Sequence, residues 1–131
     1  MLGDLIGEFQ GKITGMRLLP DEKRETSEEA SGRILGIEAT WLATSVSKQM
    51  PNGVVLSEGE AVITTVEGET ISIKKSGIGW STGRGRKASR RGVFFHNTQS
   101  ARLARLNRVV GVWEFESEEN GEWHVNVWEW K

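Results

Sequence analysis

The chain has no cysteine, no tyrosine and only two prolines among its 131 residues. The absence of cysteine excludes disulfide bonds, thiolate metal ligands and a cysteine nucleophile. No apolar run approaches the roughly 20 residues that a helix needs to span a bilayer. The opening MLGDLIGEF lacks the basic and long apolar regions of a secretory signal. We therefore expect a cytoplasmic protein without a membrane segment.

The chain also lacks an excess of charge of either sign. Its 17 Lys and Arg and 18 Asp and Glu give a formal net charge of -1, whereas a domain that coats nucleic acid usually carries a positive excess. The charge is unevenly placed. Ten basic residues and no acid lie between Thr70 and Trp113, and six Glu and one Lys follow from Glu114 onward. These two regions are expected to pair or to form opposed faces.

Alternating β-like segments separated by glycine and polar turns run through the whole chain. They cover residues 7–19, 26–40, 41–48, 54–65, 70–80, 89–98, 108–117 and 122–131. Helical spacing occurs only over 99–107, where Leu103 and Leu106 lie beside Arg102 and Arg105. About eight short strands at this spacing predict an all-β sandwich or barrel.

Two features favour a closed antiparallel up-and-down barrel, formed by residues 1–131 as one domain. The connections are short and hairpin-like. Glycine recurs inside the strands, where it permits the bends that curl a sheet until it closes. Closure also removes exposed strand edges. A barrel of eight strands has an interior that is either filled or holds one small ligand.

The final strand, HVNVWEW, has an unusual face. Alternation places His124, Asn126, Trp128 and Trp130 on one side of it. Apolar surface with a few orienting polar groups is typical of a pocket wall. The alternative is that the tryptophans fill the core, with the histidine and the amide at a wet rim.

Two other strand residues are candidates for acid–base chemistry. His96 shares a face with Phe94, and an inward position would bring it and His124 to the cavity, where imidazole titrates near neutrality. Glu38 shares a face with Ile34 and is expected to point into the barrel. Two histidines without a defined carboxylate partner are too few to predict a metal site.

The carboxylates of VWEFES are expected to behave differently from Glu38. Trp113 and Phe115 define one face of that segment, so that Glu114 and Glu116 face solvent.

The stretch GRGRKASRR, residues 83–91, concentrates positive charge without any acid. A polyanion or nucleic-acid site here would use Arg84, Arg86, Lys87, Arg90 and Arg91. The simpler interpretation is a solvated hairpin tip, because the strand count requires a turn here. Arg90 and Arg91 then point to opposite faces of the next strand. We expect a charged loop at one end of the barrel, near the mouth of its cavity.

The segments GEFQGKITGMRLLPD, SGRILGIEAT, ARLNRVVGVWEFE and VNVWEWK together resemble those of small single-domain proteins of archaea and soil bacteria. That group in turn resembles calycin-like barrels of the allene oxide cyclase type. The resemblance implies an apolar ligand in the cavity, no metal or organic cofactor, and assembly as a dimer or trimer. Such pockets often use tyrosine hydroxyls, which this chain lacks.

Three hypotheses follow. The first is a barrel that binds an apolar or amphipathic small molecule and cyclises or isomerises it without a cofactor. Its candidate residues are Glu38, His96 and His124 for catalysis, and Phe94, Asn126, Trp128 and Trp130 for ligand binding. The second is a polyanion-binding module that uses the basic loop. The third is a non-catalytic protein whose basic stretch meets the acidic C-terminal hairpin of another subunit.

Overall fold

The computed structural model describes Met1–Lys131 as a closed barrel of eight antiparallel strands, as the sequence predicts. The strands are β1 Leu2–Leu19, β2 Lys23–Ile34, β3 Ile37–Gln49, β4 Val55–Thr65, β5 Thr70–Ser81, β6 Ala88–Asn97, β7 Val110–Ser117 and β8 Glu122–Trp130. A 3₁₀ helix, Ala101–Arg108, joins β6 to β7 at the segment with predicted helical spacing.

Each strand pairs with its neighbours in sequence, and β1 pairs with β8 to close the barrel. The two ends of the barrel differ. The hairpin end carries the turns around residues 20–22, 50–54, 82–87 and 118–121. The helix end carries the 3₁₀ helix, both chain termini and the turns at 35–36 and 66–69. Leu103 and Leu106 of the helix are almost fully buried, and they close that end.

The centre of the barrel is filled by a cluster of 19 buried apolar residues. Six aromatic rings of this cluster contact one another at centroid distances of 5.0 to 6.1 Å. They are Phe9, Trp41, Phe94, Trp113, Phe115 and Trp123. Ring pairs at this separation add to the stability that burial gives. The interior therefore has little room for an apolar ligand at its centre.

Strand glycines make the space for one of these rings. Gly77 on β5 and Gly92 on β6 are directly paired, and both face the interior. A Cβ at Gly77 would lie 2.7 Å from Trp113 Cζ2, and one at Gly92 would lie closer still. The glycines thus let the indole lie against the sheet, in addition to permitting its curvature.

The segment predicted as one strand over 26–40 is two strands joined by a tight turn. Leu35 and Gly36 form this turn with φ of +50° and +78°, the backbone of a two-residue hairpin. The two residues of the turn reverse the alternation expected from Ile34 onward. Glu38 consequently pairs with Arg33 and lies exposed on the outside of the barrel. The prediction that Glu38 points inward was wrong.

Candidate functional site

A small polar cavity lies inside the barrel toward the hairpin end. Its polar lining consists of Glu28, Ser45, Ser57, Lys75, Ser76 and Arg90. Its walls are Trp41, Phe94, Trp113, Phe115 and Val125. The volume is about 20 Å³, room for about one water molecule. We refer to this space as the polar cavity.

Glu28 and Lys75 form an ion pair in the polar cavity. Alternation on β2 and β5 directs both side chains inward, and Lys75 Nζ lies 2.8 Å from Glu28 Oε1. The Glu28 side chain is only 2 % exposed and that of Lys75 is 11 % exposed. Lys75 Nζ also lies 5.5 Å from the centroid of the Trp41 ring. The two charges cancel each other within the barrel.

Arg90 adds a second positive charge to the same interior. It faces inward on β6, where it pairs with Gly79 on one side and Phe115 on the other. Its guanidinium carbon lies 5.3 Å from the centroid of the Phe115 ring. The guanidinium donates no hydrogen bond and has no carboxylate within 4.0 Å. Burial lowers the pKa of Arg90, and the Glu28 carboxylate opposes part of that effect.

Indole N–H groups add further donors without acceptors. Trp41 Nε1, Trp113 Nε1 and Trp123 Nε1 are all buried and have no hydrogen-bond partner. Two of these rings, Trp41 and Trp113, line the polar cavity. A buried polar group without a partner requires an explanation, since more than nine in ten are satisfied. With one carboxylate and two cations in its lining, the polar cavity has a net positive charge.

The predicted pocket wall on the final strand lies on the outside of the barrel. Trp123, Val125 and Val127 face the core, so His124, Asn126, Trp128 and Trp130 face outward. The prediction that these four line the cavity was wrong. Both faces of this strand carry tryptophan, so alternation separates the two sets but does not tell which set is inside.

His96 and Phe94 do face the interior, as predicted. His96 Nδ1 lies 3.2 Å from the Val109 carbonyl oxygen, an arrangement in which Nδ1–H donates and Nε2 is left without a partner. Burial lowers the pKa of His96, and the hydrogen bond to Val109 raises it in part. His96 is six residues from Arg90 along β6, or about 20 Å. It therefore belongs to the helix end and does not reach the polar cavity or His124.

Three predicted site residues line one groove on the outer surface instead. Glu38, His124 and Asn126 line a groove of about 720 Å³ that crosses β8, β1, β2, β3 and β4. Two strands separate β3, which carries Glu38, from β8, which carries His124. At about 4.8 Å per strand the two side chains start some 14 Å apart. They are too far apart for a direct acid–base pair, and their catalytic roles stay predictions.

The basic loop lies at the hairpin end beside the acidic turn between β7 and β8. Lys87 Nζ lies 3.6 Å from Glu118 Oε2, and Arg91 pairs with Glu116 at 3.0 Å. The basic and acidic regions thus meet within one chain. Arg90 and Arg91 point to opposite faces, as predicted, which removes Arg90 from any outer basic surface. Polyanion binding by this loop stays a prediction.

Sequence reasoning missed Glu28 and Lys75, although part of the signal was present. Ile71, Ile73 and Lys75 share one strand face, so the interior position of the lysine was readable from alternation. Glu28 gave no comparable sign, because a carboxylate is almost never fully buried unless it is paired.

The fold and the polar cavity place the chain among small closed β-barrel proteins with a packed aromatic core and a charged interior end. No protein-family model and no curated protein matches the chain. Solved structures do match it over nearly the whole length.

One similar structure is a conserved protein of unknown function from Rhodopseudomonas palustris, with a TM-score of 0.81, 12% identity, and coverage of 98% of this chain and 97% of that one. Another is a protein with unknown function from Clostridium acetobutylicum, with a TM-score of 0.84, 10% identity, and coverage of 98% of each chain. A third is a beta-barrel like protein from Acinetobacter baumannii, with a TM-score of 0.80, 10% identity, and coverage of 99% of this chain and 96% of that one.

At these identities the likeness shows the fold alone. It confirms the small barrel, while the resemblance to allene oxide cyclase stays a prediction. The 3₁₀ helix Ala101–Arg108 is too short to span a bilayer.

Proposed function

We propose that the protein binds a small organic anion, with the negatively charged group in the polar cavity beside Arg90. The observation that carries this proposal is the charge balance of the interior. Glu28 and Lys75 neutralise each other, and Arg90 remains as a half-buried cation without a counter-charge. A charge partly withdrawn from water without a counter-charge is unfavourable, and an arginine fork matches the geometry of a carboxylate.

The neighbouring groups support an anion in preference to an apolar molecule. The rings of Trp41 and Trp113 line the same cavity, and their indole N–H groups, which can only donate, are unpaired. The filled aromatic centre leaves about 20 Å³ at this end, about the space of one water molecule, so that only an oxygen of the charged group would enter the polar cavity. The apolar part of such a ligand would extend toward the hairpin end along the Phe115 ring. This replaces the expectation of a ligand held deep in an apolar cavity.

The proposal includes no reaction. Glu28, the only carboxylate in the polar cavity, is already paired with Lys75. His96 lies toward the helix end of β6, about 20 Å from Arg90 along that strand, and does not line the polar cavity. Cyclisation or isomerisation without a cofactor therefore stays a prediction, with no proton donor or acceptor assigned to it.

The test is a titration with matched aromatic ligands, in which binding is monitored by the intrinsic fluorescence of the buried tryptophans. Phenylacetate carries the carboxylate, and phenylacetamide is its uncharged counterpart of the same shape. We expect phenylacetate to bind and the amide to bind at least about tenfold more weakly, since a charge-assisted pair contributes more than 1.4 kcal/mol. Arg90→Met keeps the length and packing of the side chain and should abolish the preference.

Arg84→Met is the matched control, because Arg84 lies exposed in the same basic loop. It should bind phenylacetate as the wild type does. Equal affinity for the acid and the amide would refute the proposal. So would an Arg90→Met variant that keeps the preference, or an Arg84→Met variant that loses it.

A further inference from the structure

Two serine hydroxyls that line the polar cavity take no part in the hydrogen bonds of the fold. Ser45 lies on the inner face of β3 and Ser57 on the inner face of β4. Neither hydroxyl has a hydrogen-bond partner within the chain, unlike those of five other serines. Ser45 is nevertheless only 4 % exposed. Since a buried polar group normally has a partner, the Ser45 hydroxyl indicates a group that the chain itself does not supply.

Glycine on the adjacent strands leaves both hydroxyls uncovered. Ser45 pairs with Gly59 of β4, and a Cβ at Gly59 would lie 2.9 Å from Ser45 Oγ. Ser57 pairs with Gly77 of β5. Because neither glycine has a side chain, nothing from these positions lies between the serines and the polar cavity. Ser57 is two residues nearer to the hairpin end than Gly59 and is half-buried, so it lies at the mouth of the cavity, whereas Ser45 lies inside.

The two serines differ from the cations of the polar cavity in what they can bind. Arg90 and Lys75 can only donate hydrogen bonds, whereas a serine oxygen also accepts one. A carboxylate has no hydrogen to offer to such an acceptor. The cavity of about 20 Å³ admits a single oxygen, which leaves the hydroxyl of Ser57 at the mouth for a neighbouring group of the ligand.

We infer that the ligand of the polar cavity is a 2-hydroxy acid and that Ser57 recognises its hydroxyl group. This inference rests on the proposed anion site. Ser45 and Arg90 donate to the carboxylate oxygen inside the cavity. The hydroxyl on the neighbouring carbon then lies at the mouth, where it donates to Ser57 Oγ.

The apolar walls restrict where the ligand can carry polar groups. The rings of Trp113 and Phe115 and the side chain of Val125 surround the polar lining. A polar group farther along the ligand would face these walls without a hydrogen-bond partner, which is unfavourable. The carboxylate and the hydroxyl therefore lie on adjacent carbons, and the rest of the ligand is apolar.

The charge of the polar cavity favours a hydroxyl over an ammonium group at this position, although both can donate to Ser57. The Glu28 carboxylate is already paired with Lys75, so an ammonium group would meet the uncompensated charge of Arg90. Like charges repel more strongly where water is excluded. A neutral hydroxyl avoids this repulsion, and the site therefore selects a 2-hydroxy acid against the 2-amino acid of the same shape.

Three acids that differ in one substituent test this inference by titration with tryptophan fluorescence. At the carbon beside the carboxylate, phenylacetate carries only hydrogen, mandelate carries a hydroxyl and phenylglycine carries an ammonium group. We expect one enantiomer of mandelate to bind about tenfold more tightly than phenylacetate, because a site that hydrogen-bonds a hydroxyl rejects the analogue that lacks it. Phenylglycine should bind more weakly than phenylacetate.

Substitution of the two serines separates their roles. Ser57→Ala should bind mandelate and phenylacetate equally and keep the wild-type affinity for phenylacetate. Ser45→Ala should weaken both acids by the same factor, because Ser45 contacts the carboxylate that they share. Ser72→Ala is the matched control, since Ser72 lies exposed on the outer face of β5. It should bind all three acids as the wild type does.

The outcomes distinguish this inference from the anion site on which it rests. If phenylacetate binds in preference to phenylacetamide but neither enantiomer of mandelate binds more tightly, the 2-hydroxy acid is wrong and the anion site is retained. A mandelate preference that survives Ser57→Ala, or that Ser72→Ala removes, would overturn the role of Ser57. Tighter binding of phenylglycine than of mandelate would overturn the charge selection. If none of the three acids binds, the anion site is refuted together with the inference.

Discussion

Lys75 Nζ and Glu28 Oε1 lie 2.8 Å apart inside the barrel, although 47 residues separate them in the sequence. The pair places the positive charge of β5 against the negative charge of β2 at the end of the barrel where Arg90 also points inward. Because the pair is neutral, the net charge of the polar cavity is that of Arg90. This relationship connects the stability of the barrel to its proposed affinity for anions.

Removal of the interior carboxylate should destabilise the protein and strengthen anion binding. Glu28→Gln leaves Lys75 and Arg90 as two uncompensated cations. We expect a loss of about 3–5 kcal/mol in the free energy of unfolding, as when one partner of a buried pair is removed. Phenylacetate should bind the variant about tenfold more tightly than it binds the wild type. Urea denaturation with and without the anion measures both effects.

The double variant Glu28→Gln with Lys75→Met tests whether the two charges stabilise the barrel as a pair. Without either charge of the pair, the barrel should regain most of the lost stability, because a buried pair replaced by neutral groups is often close to neutral in effect. A double variant as unstable as Glu28→Gln alone would show that the pair does not act as a unit.

The strand glycine beside Trp113 should not tolerate a methyl group. In Gly77→Ala the new Cβ would lie 2.7 Å from Trp113 Cζ2 and 2.5 Å from the carbonyl oxygen of Arg91. We expect a loss of about 1–3 kcal/mol in unfolding free energy from overpacking. Gly15→Ala in β1 is the control, because no atom lies within 4 Å of its added Cβ. Equal urea midpoints for the two variants would contradict this account of the glycines.

Acid should weaken the barrel through His96. Burial lowers the pKa of His96 in the folded chain below its usual value of 6.5, so the unfolded chain binds the proton more readily. The resulting stability is complete above pH 6.5 and is lost as the pH falls through the folded pKa. The loss is at most about 1.4 kcal/mol per pH unit in this range. Urea denaturation at a series of pH values measures it.

His96→Gln should reduce the pH dependence below pH 6.5. His124→Gln is the matched control, because His124 is exposed on the outside of β8. It should follow the wild type. If the pH dependence of the unfolding free energy changes in His124→Gln and not in His96→Gln, the assignment of this effect to His96 is wrong.

Much of the fold could be predicted from the sequence, because alternation and turn residues act locally. Seven of the eight predicted strand segments match single strands, and Leu103 and Leu106 lie in the one helix. The remaining segment failed at Leu35, which adopts positive φ although a bulky residue rarely does. The segment has no Asn-Gly or Asp-Gly pair, so the sequence does not predict this turn. The predicted orientation of Glu38 is wrong for the same reason.

The candidate site was harder to predict, for two physical reasons. Alternation divides a strand into two faces, but β8 carries tryptophan on both, with Trp123 inside and Trp130 outside. The interior position of Glu28 depends on Lys75, and only the closed barrel brings the two together. Long-range pairing of this kind is absent from the local sequence pattern.

The most direct measurement is the response of the indole N–H resonances to phenylacetate in ¹H–¹⁵N spectra. The six tryptophans divide into three inside the barrel and three on its outer face. The account predicts that the Nε1–H signals of Trp41 and Trp113 shift on addition of the anion, while those of Trp80 and Trp130 do not. It also predicts that these shifts disappear in Arg90→Met. Unchanged signals from Trp41 and Trp113, or shifts confined to the outer indoles, would contradict the assignment of an anion site to the interior of the barrel.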